Sequence, residues 1–254
     1  MSGVFSPDCM AGRSVFVTGA SSGLGRAAAI ALSNVGARLL LNGRDEGRLN
    51  ETRELLAGEG HALYPGELSS ADVTADLIKQ AAQDHGPVDG IFHSAGVFSV
   101  LPAKMTKQRN VDEVFNSSVP GAYGVARAAA QKKLVNDGAS IVLMSSVAGA
   151  RANVGLIAYA GAKAAILGLN RALAAELAPR QVRVNAIISG TIETEMHRQM
   201  LAKSADEQAD ANLANHPLGY GQPDDIANAV IFLMSPASRW ITGSEMVVDG
   251  GYLA

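Results

Sequence analysis

Two residues in this sequence have the types and the spacing to handle a proton. Tyr159 and Lys163 stand four apart in the alanine-rich stretch Tyr159–Leu177, which Pro179 closes; a helix there puts both side chains on one face. A free phenol titrates near pH 10, too high for ready proton exchange at neutrality. A neighbouring ammonium favours the phenolate and lowers that value, which predicts a general acid in one direction and a general base in the other. Taken alone, the same spacing also describes a half-buried tyrosine beside a lysine that lays its stem along apolar surface.

A second constellation can hold an anion. A short apolar run leads into Thr18-Gly19-Ala20-Ser21-Ser22-Gly23-Leu24-Gly25, and a helical pattern follows. Free N–H groups at a helix start, together with the helix dipole, attract negative charge, and glycines let backbone approach a pyrophosphate. Ser21 and Ser22 add hydroxyl donors. The spacing is G-x-x-x-G-x-G, with no Gly-Lys-Ser/Thr of a nucleoside triphosphate loop.

Both constellations need elements to position them. Strands are expected over Ser14–Thr18, Arg38–Leu41, His61–Tyr64, Val88–His93, Ser140–Met144, Val182–Ile187 and Glu245–Val248. Helices are expected over Gly23–Val35, Glu46–Ala57, Ala71–Asp84, Val111–Leu134 with a kink at Pro120-Gly121, Tyr159–Leu177 and Asp224–Leu233. Strands separated by helix-sized segments indicate a parallel sheet covered on both faces. With neither repeat nor linker in the 254 residues, a single domain, 1–254, is expected. Thr191–Pro217 is polar and weakly patterned; it is either a surface excursion or a mobile lid over the strand ends.

Composition narrows the function classes. A 48% hydrophobic share with 18% charged residues excludes disorder, and a net charge of −3 argues against a nucleic-acid partner or an electrostatic membrane anchor. The one cysteine, Cys9, excludes an intrachain disulfide and a cysteine-based metal cage, and no metal is expected. No apolar run is long enough for a membrane helix and no secretory pattern opens the chain, so a cytoplasmic location is expected.

The motifs together resemble the short-chain dehydrogenase/reductase family, and within it the β-ketoacyl-acyl-carrier-protein reductases and similar small alcohol dehydrogenases. Thr18–Gly25 is similar to that family's cofactor loop, and Ser94-Ala95-Gly96 to its Asn-Ala-Gly turn. Ser146, Tyr159 and Lys163 match its serine and Tyr-x-x-x-Lys motif, with a serine-to-tyrosine gap of 13. Val184-Asn185-Ala186 and Val248-Asp249-Gly250-Gly251 also fit, so the likeness runs from about Gly12 to the C-terminus.

The resemblance implies a Rossmann-like, doubly wound parallel sheet of about seven strands, and hydride transfer between a nicotinamide cofactor and a ketone or secondary alcohol. Tyr159 becomes the proton donor, Lys163 the group that tunes it and contacts the nicotinamide ribose, and Ser146 the anchor of the substrate carbonyl. Gly19, Ser21, Ser22, Gly23, Leu24 and Gly25 are expected at the cofactor, with Ser94, Ala95 and Gly96 beside it. Glu67 takes the place of an adenine-region aspartate, with Leu68 supplying a backbone contact, and Ile192 and Thr194 lie at the nicotinamide end. Small-molecule or carrier-bound carbonyl substrates and a homotetramer or homodimer follow from the same likeness.

Four departures accompany it. Ser118 occupies the family's catalytic asparagine position, with Asn116 two residues earlier as the other candidate. His93-Ser94 replaces two asparagines, and His93 reads as a packing or hydrogen-bonding residue. Ser189-Gly190 replaces Pro-Gly, and Glu67 replaces aspartate. These keep open a second reading, a non-catalytic dinucleotide-binding sensor or partner subunit; the intact Ser146, Tyr159 and Lys163 speak against it. At the end of strand two, Gly43 holds the position usually acidic in NAD users and Arg44 follows, which favours NADP, while Asp45 keeps NAD possible.

Overall fold

The sheet forms because its strands are continuous runs of valine, leucine and isoleucine whose alternate side chains both find cover. In the computed structural model, which describes residues 4–151, 153–195, 197–198 and 213–254, seven parallel strands lie in the order β3-β2-β1-β4-β5-β6-β7. They are β1 (Ser14–Thr18), β2 (Arg38–Gly43), β3 (Ala62–Pro65), β4 (Val88–His93), β5 (Val135–Ser146), β6 (Arg183–Ser189) and β7 (Glu245–Val248). The helices are α1 (Gly23–Asn34), α2 (Glu46–Glu54), α3 (Ala71–His85), α4 (Gln108–Asn116), α5 (Val119–Ala129), α6 (Ile157–Leu177) and α7 (Pro223–Met234).

Phe16, Leu40, Ile91, Ile141 and Leu143 point to one face, where α3, α5 and α6 supply Ile78, Val125, Ile166 and Leu173. Their neighbours Val15, Val17, Leu39, Leu41, Phe92 and Val142 point to the other, against Leu32 of α1 and Ile226 and Val230 of α7. This alternation is the two-residue period of a strand, with both faces dry. Buried amides fix the ends: Asn185 donates to the Ile241 carbonyl (3.0 Å) and accepts from the Ser244 N–H (3.1 Å), holding the approach to β7.

Strand order reverses between β1 and β4, whose registers pair Thr18 with His93. In an open α/β sheet the crevice outside the carboxyl ends at such a point is where ligands bind.

Two elements differ from expectation. The helix expected over Val111–Leu134 is two helices, α4 and α5, broken at Ser117-Ser118. Pro120 lies in the first turn of α5, where its missing N–H costs nothing, so the chain restarts there instead of kinking. Residues 131–134 lie outside α5. The fifth strand begins five residues early, at Val135, and reaches Ser146, with its register to β4 shifting between Val88 and Gly90. Smaller shifts affect ends: α2 stops at Glu54, and β6 runs from Arg183 to Ser189. Of the expected lid, residues 196 and 199–212 lie outside the described residues, Met196, Met200 and Leu201 among them.

Among the described residues, no helix is long and apolar enough to cross a membrane.

Candidate active site

The glycine loop is built by exclusion of side chains. A Cβ on Gly25 would lie 2.2 Å from the Gly19 carbonyl oxygen, so the start of α1 packs directly on the end of β1. A Cβ on Gly19, whose φ is +65°, would lie 3.1 Å from the Ala95 nitrogen, which puts the Ser94–Gly96 turn against the loop. Arg26 braces the loop from outside, donating to the Ser21 carbonyl (2.7 Å) and to Thr52 Oγ1 (2.9 Å).

The start of α1 is open. Ser22 stands at its N-cap without a side-chain cap bond, and its first turn holds no acidic residue. By contrast Asp45 caps α2, accepting from the Arg48 N–H (3.1 Å), and Ser70 caps α3, accepting from the Val73 N–H (3.1 Å). Uncapped amides beside a glycine cradle fit the diphosphate of a dinucleotide.

On the far bank, Ile192 pairs with Gly221, and the methyl of Thr194 would lie 3.9 Å from a Cβ on Gly23. Arg48 and Glu195 span the two banks, Nη2 to Oε2 at 2.6 Å, and the guanidinium holds the carboxyl below its ordinary range.

The proton-handling residues stand on β5 and α6. Ser146 ends β5, and its Oγ accepts from the Ala148 N–H (3.2 Å), the turn that follows. Gly149 lets that turn abut α6: a Cβ there would lie 2.9 Å from both the Lys163 carbonyl carbon and the Ala164 nitrogen. Ser145 adds a hydroxyl bond to the Lys163 carbonyl (2.9 Å). The serine strand and the lysine helix are thus locked together.

Lys163 is buried, with Nζ donating to the Met144 carbonyl (3.1 Å) and lying 5.7 Å from the centre of the Tyr159 ring. Burial lowers its pKa from 10.5 to about 8. Tyr159 is partly exposed as a residue, but its hydroxyl end lies deep, and burial pushes its pKa up to about 12 against a hydrogen bond from Ser146. The expected lowering of the tyrosine pKa by the lysine is therefore corrected for the protein without ligands. Desolvation of the phenol outweighs an ammonium that faces a carbonyl rather than the tyrosine oxygen. Phe98 meets the Tyr159 ring edge-on at 4.9 Å and forms an apolar wall beside the hydroxyl.

Ser118 is buried, whereas Asn116 is exposed on α4. A Cβ on Gly96 would lie 3.4 Å from Lys163 Nζ and 3.5 Å from Ser118 Cβ, which puts Gly96 between the lysine amine and the backbone end of Ser118. At the adenine end the residues are looser. Arg44 is exposed just past β2, and Glu67 is exposed past β3, while the Leu68 side chain packs on Gly121.

Sequence reasoning missed Thr18, Arg26, Arg48 and Met144 as residues that shape the site. Thr18 and Arg26 lie in or beside the glycine motif, but their partners are distant in sequence. Met144 contributes only its carbonyl, which no side-chain pattern reveals.

The family described as Enoyl-(Acyl carrier protein) reductase matches residues 19–253 of this chain. A 3-oxoacyl-(acyl-carrier-protein) reductase of Vibrio harveyi is 33% identical over 243 residues, covering 94% of this chain and 97% of the relative. A 2-(S)-hydroxypropyl-CoM dehydrogenase of Xanthobacter autotrophicus is 34% identical over 247 residues, covering 94% and 96%. A solved short-chain dehydrogenase/reductase from Serratia marcescens superimposes with a TM-score of 0.88 at 27% identity, covering 96% of this chain and 99% of that one.

Proposed function

The chain belongs to the short-chain dehydrogenase/reductase family of oxidoreductases, and from that premise we propose that it is an NADPH-dependent reductase of ketones or 3-oxoacyl thioesters. The observation that carries this reading is one cluster at the carboxyl ends of β4 and β5: the Ser146 hydroxyl close enough to Tyr159 to act on its titration, with buried Lys163 behind the ring. The bound dinucleotide supplies the hydride. Gly19, Ser21, Ser22, Gly23, Leu24 and Gly25 hold its diphosphate with the open start of α1, and Ser94, Ala95 and Gly96 line its inner side. Ile192 and Thr194 close over the nicotinamide end.

Ser146 and Tyr159 donate hydrogen bonds to the substrate carbonyl oxygen, orienting it and stabilising the charge that develops there. Tyr159 then releases its proton to that oxygen. Burial keeps the phenol protonated at neutral pH, the form that reduction needs in its proton donor. Lys163, easily deprotonated in its dry position, couples the phenol to the inner side of the site.

Three features support NADP over NAD. Arg44 is exposed at the end of β2 with no ion-pair partner among the described residues. Asp45 is engaged in capping α2. Gly43 packs against Ser21, where a Cβ would lie 3.2 Å from its side chain, which leaves little room for a carboxylate. Glu67 and Leu68 border the adenine. The described parts of 191–217 act as a lid, tied down by Arg48–Glu195. Tyr123, Ala126, Gly168 and Ala172 line a shallow groove between α5 and α6 that suits contact between copies in a homotetramer or homodimer, and a cytoplasmic location agrees with the lone cysteine.

The test is Tyr159→Phe with acetoacetyl thioester and NADPH. Turnover should fall by at least ~100-fold while NADPH still binds. Near-full activity in that variant would overturn the assignment. A wild-type protein that binds NADPH yet reduces no carbonyl would favour the sensor reading.

A further inference from the structure

Past the end of β6 the chain runs along the far bank of the crevice, and its backbone is tied at several points. The Gly190 N–H donates to the Val248 carbonyl (3.0 Å), the Gly221 N–H to the Thr191 carbonyl (3.0 Å), and the Glu193 N–H to the Gly221 carbonyl (2.9 Å). The Thr191 N–H differs, because it donates to a side chain: Nε2 of His216, at 3.1 Å. A ring nitrogen that accepts a hydrogen bond carries no proton, so this imidazole is neutral with its proton on Nδ1.

His216 is 3% exposed and wedged between two aromatic rings. Tyr220 meets it edge-on at 5.3 Å, and Tyr252 lies against it at 4.7 Å. Gly250, at φ +62°, brings the C-terminal turn in close: a Cβ there would lie 2.9 Å from the Gly219 carbonyl oxygen and 3.9 Å from His216 Cβ. Tyr252 in turn donates to Asn153 Oδ1 (2.7 Å), and Arg151 lies over its ring at 4.9 Å. The imidazole therefore stands between the Thr191–Thr194 segment and the loop that follows Ser146.

A proton on Nε2 would turn the acceptor into a donor facing the Thr191 N–H, so protonation and this bond exclude each other. The three other ties end on carbonyls, which do not titrate. Among the described residues, the charged and titratable groups on the surrounding elements are Glu193 and His197 after β6, Tyr220 and Asp225, Asp249 and Tyr252 in the C-terminal turn, and Arg151 beyond Tyr252. Both Asp249 oxygens accept backbone N–H groups, from Gly251 and Leu253 (2.9 Å each), and Glu193 accepts from Gln222 Nε2 (2.9 Å). His197 packs on the Tyr220 ring at 4.7 Å; burial lowers its pKa against the pull of Glu193, and His216 lowers it further.

We propose that His216 is a positioning residue for the segment at the nicotinamide end: its bare Nε2 holds the Thr191 N–H, so the segment is latched while the imidazole is neutral and loosened when it takes a proton. The proposal rests on the placing of Ile192 and Thr194 at that end of the cofactor. Thr191 precedes Ile192 directly, and a fixed Thr191 N–H sets where Ile192 lies against Gly221. Acid adds a proton from solvent to Nε2, breaks that one bond and leaves the Thr191 N–H without its acceptor. Cofactor binding then has to restore the bond at the expense of that proton, so affinity falls with pH.

The experiment compares wild type, His216→Gln and His216→Phe in the purified full chain, at about pH 8 and about pH 5, by NADPH affinity from nicotinamide fluorescence and by Tm. Glutamine keeps an acceptor near the Nε2 position but cannot be charged. Phenylalanine keeps a ring between Tyr220 and Tyr252 but has no acceptor. At the higher pH, His216→Gln should bind NADPH as wild type does, and His216→Phe about tenfold more weakly. On going to the lower pH, wild type should lose about tenfold more affinity than His216→Gln, which carries every other pH effect, the titration of the cofactor phosphate included. Parallel losses in wild type and His216→Gln would overturn the proposal. So would His216→Gln as weak as a folded His216→Phe, or His216→Phe as tight as wild type, since ring packing alone would then account for the residue. If Tm shows that His216→Phe does not fold, the glutamine comparison decides. A wild type that binds neither NADPH nor NADH would instead overturn the functional reading beneath, so the two failures are separable.

Discussion

The two ends of the crevice are built on opposite principles. At the inner end, His93, Ser118 and Lys163 are buried, and burial moves His93 to about 4, Lys163 to about 8 and the Tyr159 hydroxyl to about 12. At the outer end, Arg44, Asp45, Glu67 and Glu195 are exposed, with solvent around each charge. A dry site magnifies every polar change, whereas water screens the outer one. Substitutions should therefore lose effect in order from the inner packing to the outer rim.

The largest effect is expected where backbone meets backbone. Gly25→Ala places a methyl on the Gly19 carbonyl, and the loop must move. It should destabilise the fold by about 3 kcal/mol, as overpacked cores do, and abolish measurable NADPH binding. Gly47→Ala, at the exposed start of α2, meets only the exposed capping carboxylate of Asp45, at 3.3 Å, and should change stability little. Urea denaturation of the two variants tests the contrast; equal losses would refute it.

The dry end also predicts a pH dependence. His93 binds a proton near pH 6.5 when unfolded but only near 4 when folded. The unfolded state thus holds more protons between those values, and stability is lost as pH falls through that window. At pH 5 the loss from this group is about 2 kcal/mol relative to pH 7. Lys163, lowered to about 8, works at the other side: its burial cost is fully present below pH 8 and fades toward 10.5. Denaturation at pH 7 and pH 5 should show a wild-type loss exceeding that of His93→Gln by about the stated amount. Parallel losses would show that the imidazole is not held neutral.

The same contrast explains what could be read from the sequence. The strands β1, β4 and β7 matched their expected limits because short apolar stretches between turn residues are local signals. The division of α4 from α5 was not local in that sense. Pro120 indicates a disturbance, but whether the chain kinks or restarts depends on Ser118 being drawn down to His93. Tyr159 and Lys163 were legible as a pair because helical spacing alone brings them together. Their pKa directions were not, since burial of the phenol and the Met144 carbonyl under Nζ are tertiary facts. His93 was read as a hydrogen-bonding residue, but its partners lie 75 and 25 residues away, beyond any motif.

At the outer end, effects should be selective rather than structural. Arg44→Ala removes a charged fork without leaving a buried group unpaired. NADPH affinity should fall roughly 10- to 100-fold, while NADH affinity and Tm stay near wild type. Fluorescence titration with both dinucleotides decides this, and tighter binding of NADH by the wild type would reverse the cofactor assignment.

The smallest effect belongs to the strap between the banks. Arg48 and Glu195 meet at 2.6 Å, but their side chains are 41% and 50% exposed, so holding two long side chains in place offsets most of the attraction. Each still ties a different bank, α2 on one side and the segment after Thr194 on the other. Breaking the pair should change how fast the cofactor leaves rather than how the protein folds. Arg48→Ala, Glu195→Ala and the double variant should each release NADPH about two- to threefold faster, with the double no faster than either single and the difference vanishing in 1 M salt. Stopped-flow displacement of NADPH measures this. Additive effects of the two single changes would mean that each residue acts alone, and that the contact between the banks does not hold the crevice closed.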